Sequence, residues 1–220
     1  MSAPRPAVFL DRDGTLSEEI GYIHRADLPR YALLPGVGPA LARLSAAGYA
    51  LVVLTNQSGV ARGYFGPDVV DAVHARLREL LSAHGAALDA VYYCPHHPEP
   101  AAAADSGDLP QGRVDARPVP SLCVACACRK PQPGMALDAA RELGLDLGAS
   151  WMVGDKEADL GLAASAGLKG GIMVRTGYGE GTLERMRRKG RPPARVAADL
   201  GAAADIILGV AAPWPPMEAR

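Results

Sequence analysis

The sequence predicts an α/β fold built on a doubly wound parallel sheet. Three observations carry that expectation. Apolar runs of strand length alternate with apolar patterns of helical period along most of the chain. Several of those runs end on Asp, Thr or Asn close to Gly, as a buried strand does where it enters a turn. The chain has 220 residues, 49% of them hydrophobic, enough for one sizeable core, so one domain over residues 1–220 is expected.

Taken in order, residues 7–10 are an apolar run that stops at Asp11-Arg12-Asp13-Gly14, a first strand running into a turn. Pro35-Gly36 opens a helical pattern carried by Val37, Leu41 and Leu44 and closed by Gly48. Residues 50–54 form a second buried strand ending at Thr55-Asn56, which completes a βαβ unit. Val69, Val70, Val73, Leu77, Leu80 and Leu81 recur at helical spacing over 67–84, ahead of a third strand over 90–94. A helix over 133–143, a strand over 150–153, a helix over 157–166 and a strand over 171–174 continue the alternation. Helices on both faces of a parallel sheet follow from it. Residues 204–208 read as one more strand at the sheet edge.

Two segments break this rhythm. Residues 97–123, inside an insert of about 95–128, are rich in Ala, Pro, Gly and Asp with no apolar period. A connection of that length needs a staple or stays disordered. Residues 177–200 form a basic elaboration; six Lys or Arg fall between Arg185 and Arg195, and that stretch is expected to be a solvated loop. The ending Pro213-Trp214-Pro215-Pro216 reads as a loose tail.

Lys plus Arg (23) nearly cancels Asp plus Glu (24), so no global field points to nucleic acid or a membrane surface. No stretch is long and apolar enough to span a bilayer. The four cysteines come without a secretion signal, so a cytoplasmic protein with reduced thiols is expected; a monomer is expected as well. Three of them, crowded between Cys123 and Cys128, read as metal ligands more readily than as a disulfide framework.

In an open parallel sheet, ligands bind outside the carboxyl ends of the strands, where strand order reverses. Those ends carry Asp11 and Asp13, then Thr55-Asn56, then Gly154-Asp155-Lys156 with Asp159. Each is ordinary by itself: an Asp-x-Asp-Gly turn, a helix cap, a solvated lysine. Together they bring several carboxylates to one place, a costly arrangement unless a hard divalent cation such as Mg²⁺ sits among them. Asp11 is placed to attack phosphorus, and Asp13, two residues on, to protonate the leaving oxygen and then activate water. The Thr55 hydroxyl and a lysine, for which Lys130 is the choice, suit the phosphoryl oxygens.

The strings Phe9-Leu-Asp11-Arg-Asp13-Gly-Thr15, Leu54-Thr55-Asn56-Gln57-Ser58-Gly59, Cys128-Arg129-Lys130-Pro131 and Val153-Gly154-Asp155-Lys156 resemble the haloacid-dehalogenase-like phosphatases over nearly the whole chain. More narrowly, Gly21-Tyr22-Ile23-His24, Ser58-Gly59-Val60-Ala61-Arg62-Gly63, Tyr92-Tyr93-Cys94-Pro95-His96-His97-Pro98 and Cys126-Ala127-Cys128-Arg129 resemble the D-glycero-D-manno-heptose 1,7-bisphosphate 7-phosphatase subfamily. The resemblance implies a Rossmann-like fold without a large cap domain and hydrolysis of a sugar bisphosphate through an aspartyl-phosphate. Asp11 would be the nucleophile and Asp13 the general acid and base. Mg²⁺ would be held by Asp11, the Asp13 carbonyl and Asp155, with Asp159 behind them. Lys130 would stabilise the phosphoryl group; Thr55, Asn56, Gln57 and Ser58 would lie against substrate, and Arg129 and Lys156 at the substrate or its second phosphate. A structural Zn²⁺ would be bound by Cys94, His96, Cys126 and Cys128, although Cys123-x-x-Cys126 has ligand spacing too and His97 adjoins His96.

Three rivals share parts of this pattern. Histidinol-phosphate phosphatase shares the Asp-Arg-Asp-Gly start and the zinc staple. A phospho-accepting signalling receiver also uses an acidic Mg²⁺ pocket, but its acceptor Asp ends the third strand, where this chain has Tyr93-Cys94. A nucleic-acid 3′-phosphatase would need an aromatic stacking set, which is missing beside the basic segment.

Overall fold

The computed structural model describes residues 4–22, 25–99 and 117–210. From Ala7 to Leu10 every residue is buried, which requires cover on both faces of the sheet that contains them. Its strands are β1 (Arg5–Leu10), β2 (Ala50–Asn56), β3 (Ala90–Cys94), β4 (Leu145–Gly154), β5 (Gly170–Val174) and β6 (Val196–Ala197). The helices are α1 (Val37–Ala46), α2 (Pro67–Ser82), α3 (Gly134–Leu143), α4 (Glu157–Ser165), α5 (Gly179–Arg188) and α6 (Leu200–Leu208). Strand order is β3-β2-β1-β4-β5-β6, all parallel.

Alternation along the strands divides the core in two. Val8 and Leu10 join Leu51, Val53, Val153, Ile172 and Val174 on one face, under apolar residues of α1, α2 and α6. Ala7 and Phe9 join Ala50, Val52, Leu54 and Met152 on the other, under α3 and α4. The chain leaves β1 toward β2 and β3, then crosses back to β4, so the order reverses between β1 and β4. Leu10 pairs with Val153, and the Asp11 amide donates to the Val153 carbonyl at 2.9 Å. The two strands therefore deliver Asp11 and Asp155 side by side.

Several expectations change. Residues 204–208 belong to α6, where Leu200, Ala203, Ala204 and Ile207 are buried at helical spacing. Asp199 caps that helix by accepting from the Ala202 amide at 2.9 Å, and Gly209 ends it at φ 70°. The edge strand lies instead at Val196–Ala197, paired with Met173 and Val174. The basic stretch is not all loop: its first four residues, 185–188, are the last turn of α5, which buries Thr182, Leu183 and Met186 and turns its arginines outward. β4 starts five residues earlier than expected. It pairs Leu145 and Asp146 with Arg5 and Pro6, then shifts register before Trp151 meets Val8. Most of the insert, residues 100–116, and the Pro213-Trp214-Pro215-Pro216 tail lie outside the described residues.

After β1, the described residues before α1 hold only a short 3₁₀ turn at Arg25–Arg30 and no separate cap domain. Replacing the α6 cap, Asp199→Ala, should cost about 1 kcal/mol of stability. Urea denaturation of the two proteins side by side would measure it as a lowered midpoint at unchanged slope.

Candidate active site

Asp11 follows directly on β1 and is 3% exposed. Its Oδ1 accepts from the Arg12 amide at 2.8 Å and lies 2.9 Å from Lys130 Nζ; its Oδ2 has Lys156 Nζ at 3.7 Å. Burial alone would push this carboxyl toward protonation, but the ammonium charges of Lys130 and Lys156 outweigh it and hold the group below the ordinary range. Asp11 is thus a buried carboxylate that stays ionised.

Lys130 is 4% exposed, and its ammonium has three oxygen neighbours: the Leu54 carbonyl at 2.7 Å, Asp11 Oδ1 at 2.9 Å and Asp159 Oδ1 at 2.6 Å. That matches the three protons of an ammonium. Burial works against its charge, but Asp11 and Asp159 more than compensate and raise its pKa. Asn56, the last residue of β2, grips Lys130 by its backbone: Oδ1 accepts from the Lys130 amide at 3.0 Å and Nδ2 donates to its carbonyl at 3.2 Å. Asp159 also accepts from the Lys156 amide at 2.9 Å, fixing the start of α4.

Asp155 closes the acidic group from the end of β4. It is fully buried, and burial together with the Asp11 charge pushes its carboxyl up to about 7. Oδ2 accepts from the Tyr178 amide at 2.8 Å, whereas Oδ1 accepts no hydrogen bond. Room for Oδ2 exists because Gly14 and Gly177 lack side chains: a Cβ on either would come within 2.4 Å of it, and both glycines have positive φ. Ligand oxygens of Asp11, Asp155 and Asp159 lie within 4.8 Å of one another. Lys156 Nζ sits 3.5 Å from Asp155 Oδ1, 3.7 Å from Asp11 Oδ2 and 3.1 Å from Glu19 Oε2. One cationic side chain thus faces three carboxylate oxygens, and those of Asp11 and Asp155, the latter without a hydrogen bond, make a donor set that fits Mg²⁺.

Asp13 lies beside this group, less buried than Asp11. Arg12 clamps it in a fork, Nε to Oδ1 at 3.0 Å and NH2 to Oδ2 at 2.8 Å. Gln57 Nε2 donates to Asp13 Oδ2 at 3.0 Å and to Thr55 Oγ1 at 2.8 Å. Ser58 continues the turn, with its carbonyl accepting from the Arg62 amide at 3.0 Å.

A second cluster stands behind the first. Cys94, His96, Cys126 and Cys128 converge, with Cys94 Sγ 3.2 Å from Cys128 Sγ and 3.6 Å from Cys126 Sγ, and His96 Nδ1 3.3 Å from Cys128 Sγ. A tetrahedral zinc with bonds of about 2.3 Å holds its sulfurs about 3.8 Å apart, so the cluster has the size and donors for Zn²⁺ with no open position. Cys123 lies outside it, turned toward the Val119 and Ala61 carbonyls, and His97 Nε2 meets Arg62 instead. The cluster is tied to the acidic site twice. Cys94 pairs with Asn56 in the sheet and its carbonyl accepts from the Gln57 amide at 2.8 Å; Arg129 donates to the His96 carbonyl at 3.1 Å. A receiver-type acceptor at the end of β3 is excluded, because that position is Cys94.

Arg12, Glu19 and His74 were not singled out from the sequence. Arg12 is 1% exposed, and His74 lies on the apolar face of α2 with Nε2 3.3 Å from Arg12 NH1. A histidine at a core position of an amphipathic helix was the available signal.

Comparisons with known proteins agree with this geometry. The family described as HAD-hydrolase-like matches residues 127–203. A D-glycero-D-manno-heptose-1,7-bisphosphate 7-phosphatase of Thermosynechococcus vestitus is 46% identical over 213 residues, covering 96% of this chain and 99% of that protein. The D-glycero-beta-D-manno-heptose-1,7-bisphosphate 7-phosphatase of Escherichia coli K12 is 40% identical over 80% of this chain and 83% of its own length. The crystal structure of D,D-heptose 1,7-bisphosphate phosphatase from B. bronchiseptica, complexed with magnesium and phosphate, superposes with a TM-score of 0.70 at 35% identity, covering 94% of this chain and 99% of that one. The switch-point carboxylates, the buried lysine and the sulfur cluster occur in a chain that aligns end to end with such enzymes, and it belongs to the HAD-like D-glycero-D-manno-heptose-1,7-bisphosphate 7-phosphatase family.

Proposed function

We propose that this chain is a Mg²⁺-dependent phosphatase that removes the 7-phosphate of D-glycero-D-manno-heptose 1,7-bisphosphate by way of an aspartyl-phosphate on Asp11. The observation that carries the reading is the state of Asp11 at the switch point: buried, ionised, and anchored through one oxygen by the Arg12 amide and Lys130. A carboxylate so held is a preorganised nucleophile. The magnesium and phosphate of the B. bronchiseptica enzyme support the same reading.

Asp11 forms the new O–P bond as the bond from phosphorus to the sugar oxygen breaks, and Asp13 gives that oxygen its proton. Water then attacks phosphorus while Asp13 takes its proton, the bond from Asp11 to phosphorus breaks, and inorganic phosphate leaves. Held by Asp11, Asp155 and the Asp13 carbonyl, Mg²⁺ would neutralise charge on the transferring phosphoryl oxygens. Lys130 contributes a second fixed positive charge, and Thr55 and Asn56 at the end of β2, with Gln57 and Ser58 in the turn after it, line the substrate side. Arg129 and Lys156 recognise the second phosphate. Cys94, His96, Cys126 and Cys128 would hold a structural zinc, which would fix the chain that carries Arg129 and Lys130. Action of residues 1–220 as a single-domain, cytoplasmic monomer belongs to the same proposal, supported by the near-neutral charge and the thiol usage. Among the described residues no helix is long and apolar enough to cross a membrane.

Asp11→Asn should lower kcat by roughly three orders of magnitude, since the amide cannot form the acyl phosphate. Acid quench with labelled substrate should give phosphoprotein in the wild type and none in the variant; turnover near wild type in Asp11→Asn would mean a different nucleophile. Arg129→Ala should reduce kcat/KM for the bisphosphate about tenfold more than for the corresponding monophosphate, the loss of a charge-assisted contact. In the same substrate panel, histidinol phosphate as the preferred substrate would move the chain to that rival specificity. Cys128→Ser should lose zinc and catalytic efficiency together, while Cys123→Ser keeps about one zinc per chain by elemental analysis.

A further inference from the structure

Asp13 is an unusual general acid in its surroundings, because both its oxygens are taken up by protein donors. Arg12 supplies two parallel hydrogen bonds at 3.0 and 2.8 Å, and Gln57 a third at 3.0 Å. Arg12 is itself buried, and on the side away from Asp13 its NH1 faces His74 Nε2 at 3.3 Å. His74 is 9% exposed on the core face of α2, between Val73 and Leu77 in spacing, with its ring edge-on to Tyr93 at 5.9 Å. Burial, then the charges of Arg12 and Arg78, push the imidazole down to about 3, so it is neutral and Nε2 accepts from the guanidinium. Tyr31, buried nearby, is pushed by burial up to about 12 and brings no rival negative charge.

We propose that Arg12, braced from behind by His74, is the positioning residue that aims the Asp13 carboxyl at the leaving oxygen and then at the attacking water. This rests on the aspartyl-phosphate reading above. A planar fork fixes both the distance and the plane of the carboxyl, which a lysine ammonium cannot do. An acceptor on the far side of the guanidinium fixes the fork in turn. Neither Arg12 nor His74 touches substrate; both act through Asp13, so their loss should appear in proton-dependent steps and leave substrate binding alone.

The test compares Arg12→Lys, His74→Leu and His74→Gln with Asp13→Asn, using the heptose bisphosphate and p-nitrophenyl phosphate, whose leaving group needs no proton. Arg12→Lys should lower kcat for the sugar bisphosphate by about tenfold or more with KM changed less than about twofold. The first-turnover burst of p-nitrophenol should keep its wild-type rate. His74→Leu should shift kcat in the same direction by a smaller factor, and His74→Gln, which keeps an acceptor, should restore it. If Arg12→Lys does not fold, the two His74 variants decide the matter, since they leave the buried charge pair intact. Wild-type kcat in Arg12→Lys or His74→Leu beside an inactive Asp13→Asn overturns the inference and leaves the phosphatase reading standing, as does a burst that falls in step with kcat. Wild-type turnover in Asp13→Asn overturns the acid role itself.

Discussion

The Lys130 ammonium is the point on which the rest of the site depends. Its three oxygen neighbours come from three elements: Asp11 at the end of β1, the Leu54 carbonyl within β2, and Asp159 in the first turn of α4. Without a buried cation there, the carboxylates of Asp11, Asp155 and Asp159 would face one another in low dielectric, and at least one would take up a proton. Burial and the Asp11 charge push Asp155 up to about 7, and burial raises Asp159 as well, whereas Asp11 is held below the ordinary range by Lys130 and Lys156. The ammonium, together with Lys156, therefore keeps Asp11 ionised among carboxylates that burial pushes toward protonation.

Holding a lysine at that point is itself a structural problem, because Lys130 lies on no helix or strand. The chain solves it from both sides. Asn56 grips the Lys130 backbone with both ends of its amide, while the sulfur cluster anchors Cys128 two residues before it. Cys94 belongs to the cluster and pairs with Asn56 across β3 and β2, so the two supports share one sheet edge. A metal-sized cluster with no open position thus sets the location of a charge several residues away without entering the chemistry.

Sequence patterns reveal the features that local rules govern. Asp11, Thr55 and Asp155 fall at the ends of apolar runs, and the parallel sheet follows from the alternation that carries them. The features hidden from that reading depend on long-range contact. Residues 204–208 look like a strand because Ile206, Ile207 and Leu208 are strand-forming, yet Asp199 and Gly209 cap a helix around them, and tertiary packing of Ala203, Ala204 and Ile207 overrides propensity. In α5 a short apolar stripe, Leu183 and Met186, is masked by arginines that face outward. In sequence Arg12 is merely the residue between two acids; its burial and its fork onto Asp13 expose a role.

The register of the central strands carries the final constraint. β1 and β4 begin paired at Arg5 with Leu145, and continued without interruption they would align Leu10 well short of Val153. Pro6 has no N–H to carry the ladder on, and the chain from Asp146 to Ser150 uses the break: Ser150 Oγ accepts from the Ala7 amide at 2.8 Å and donates to the Asp146 carbonyl at 2.5 Å. Pairing then resumes with Val8 opposite Trp151. Because side chains alternate faces, a slip of one residue would send Val153 to the wrong layer of the core and Asp155 away from Asp11. The bulge far from the chemistry is what lets two strands of unequal length arrive together, so the same hydrophobic pairing that builds the core also sets the spacing of the acidic site.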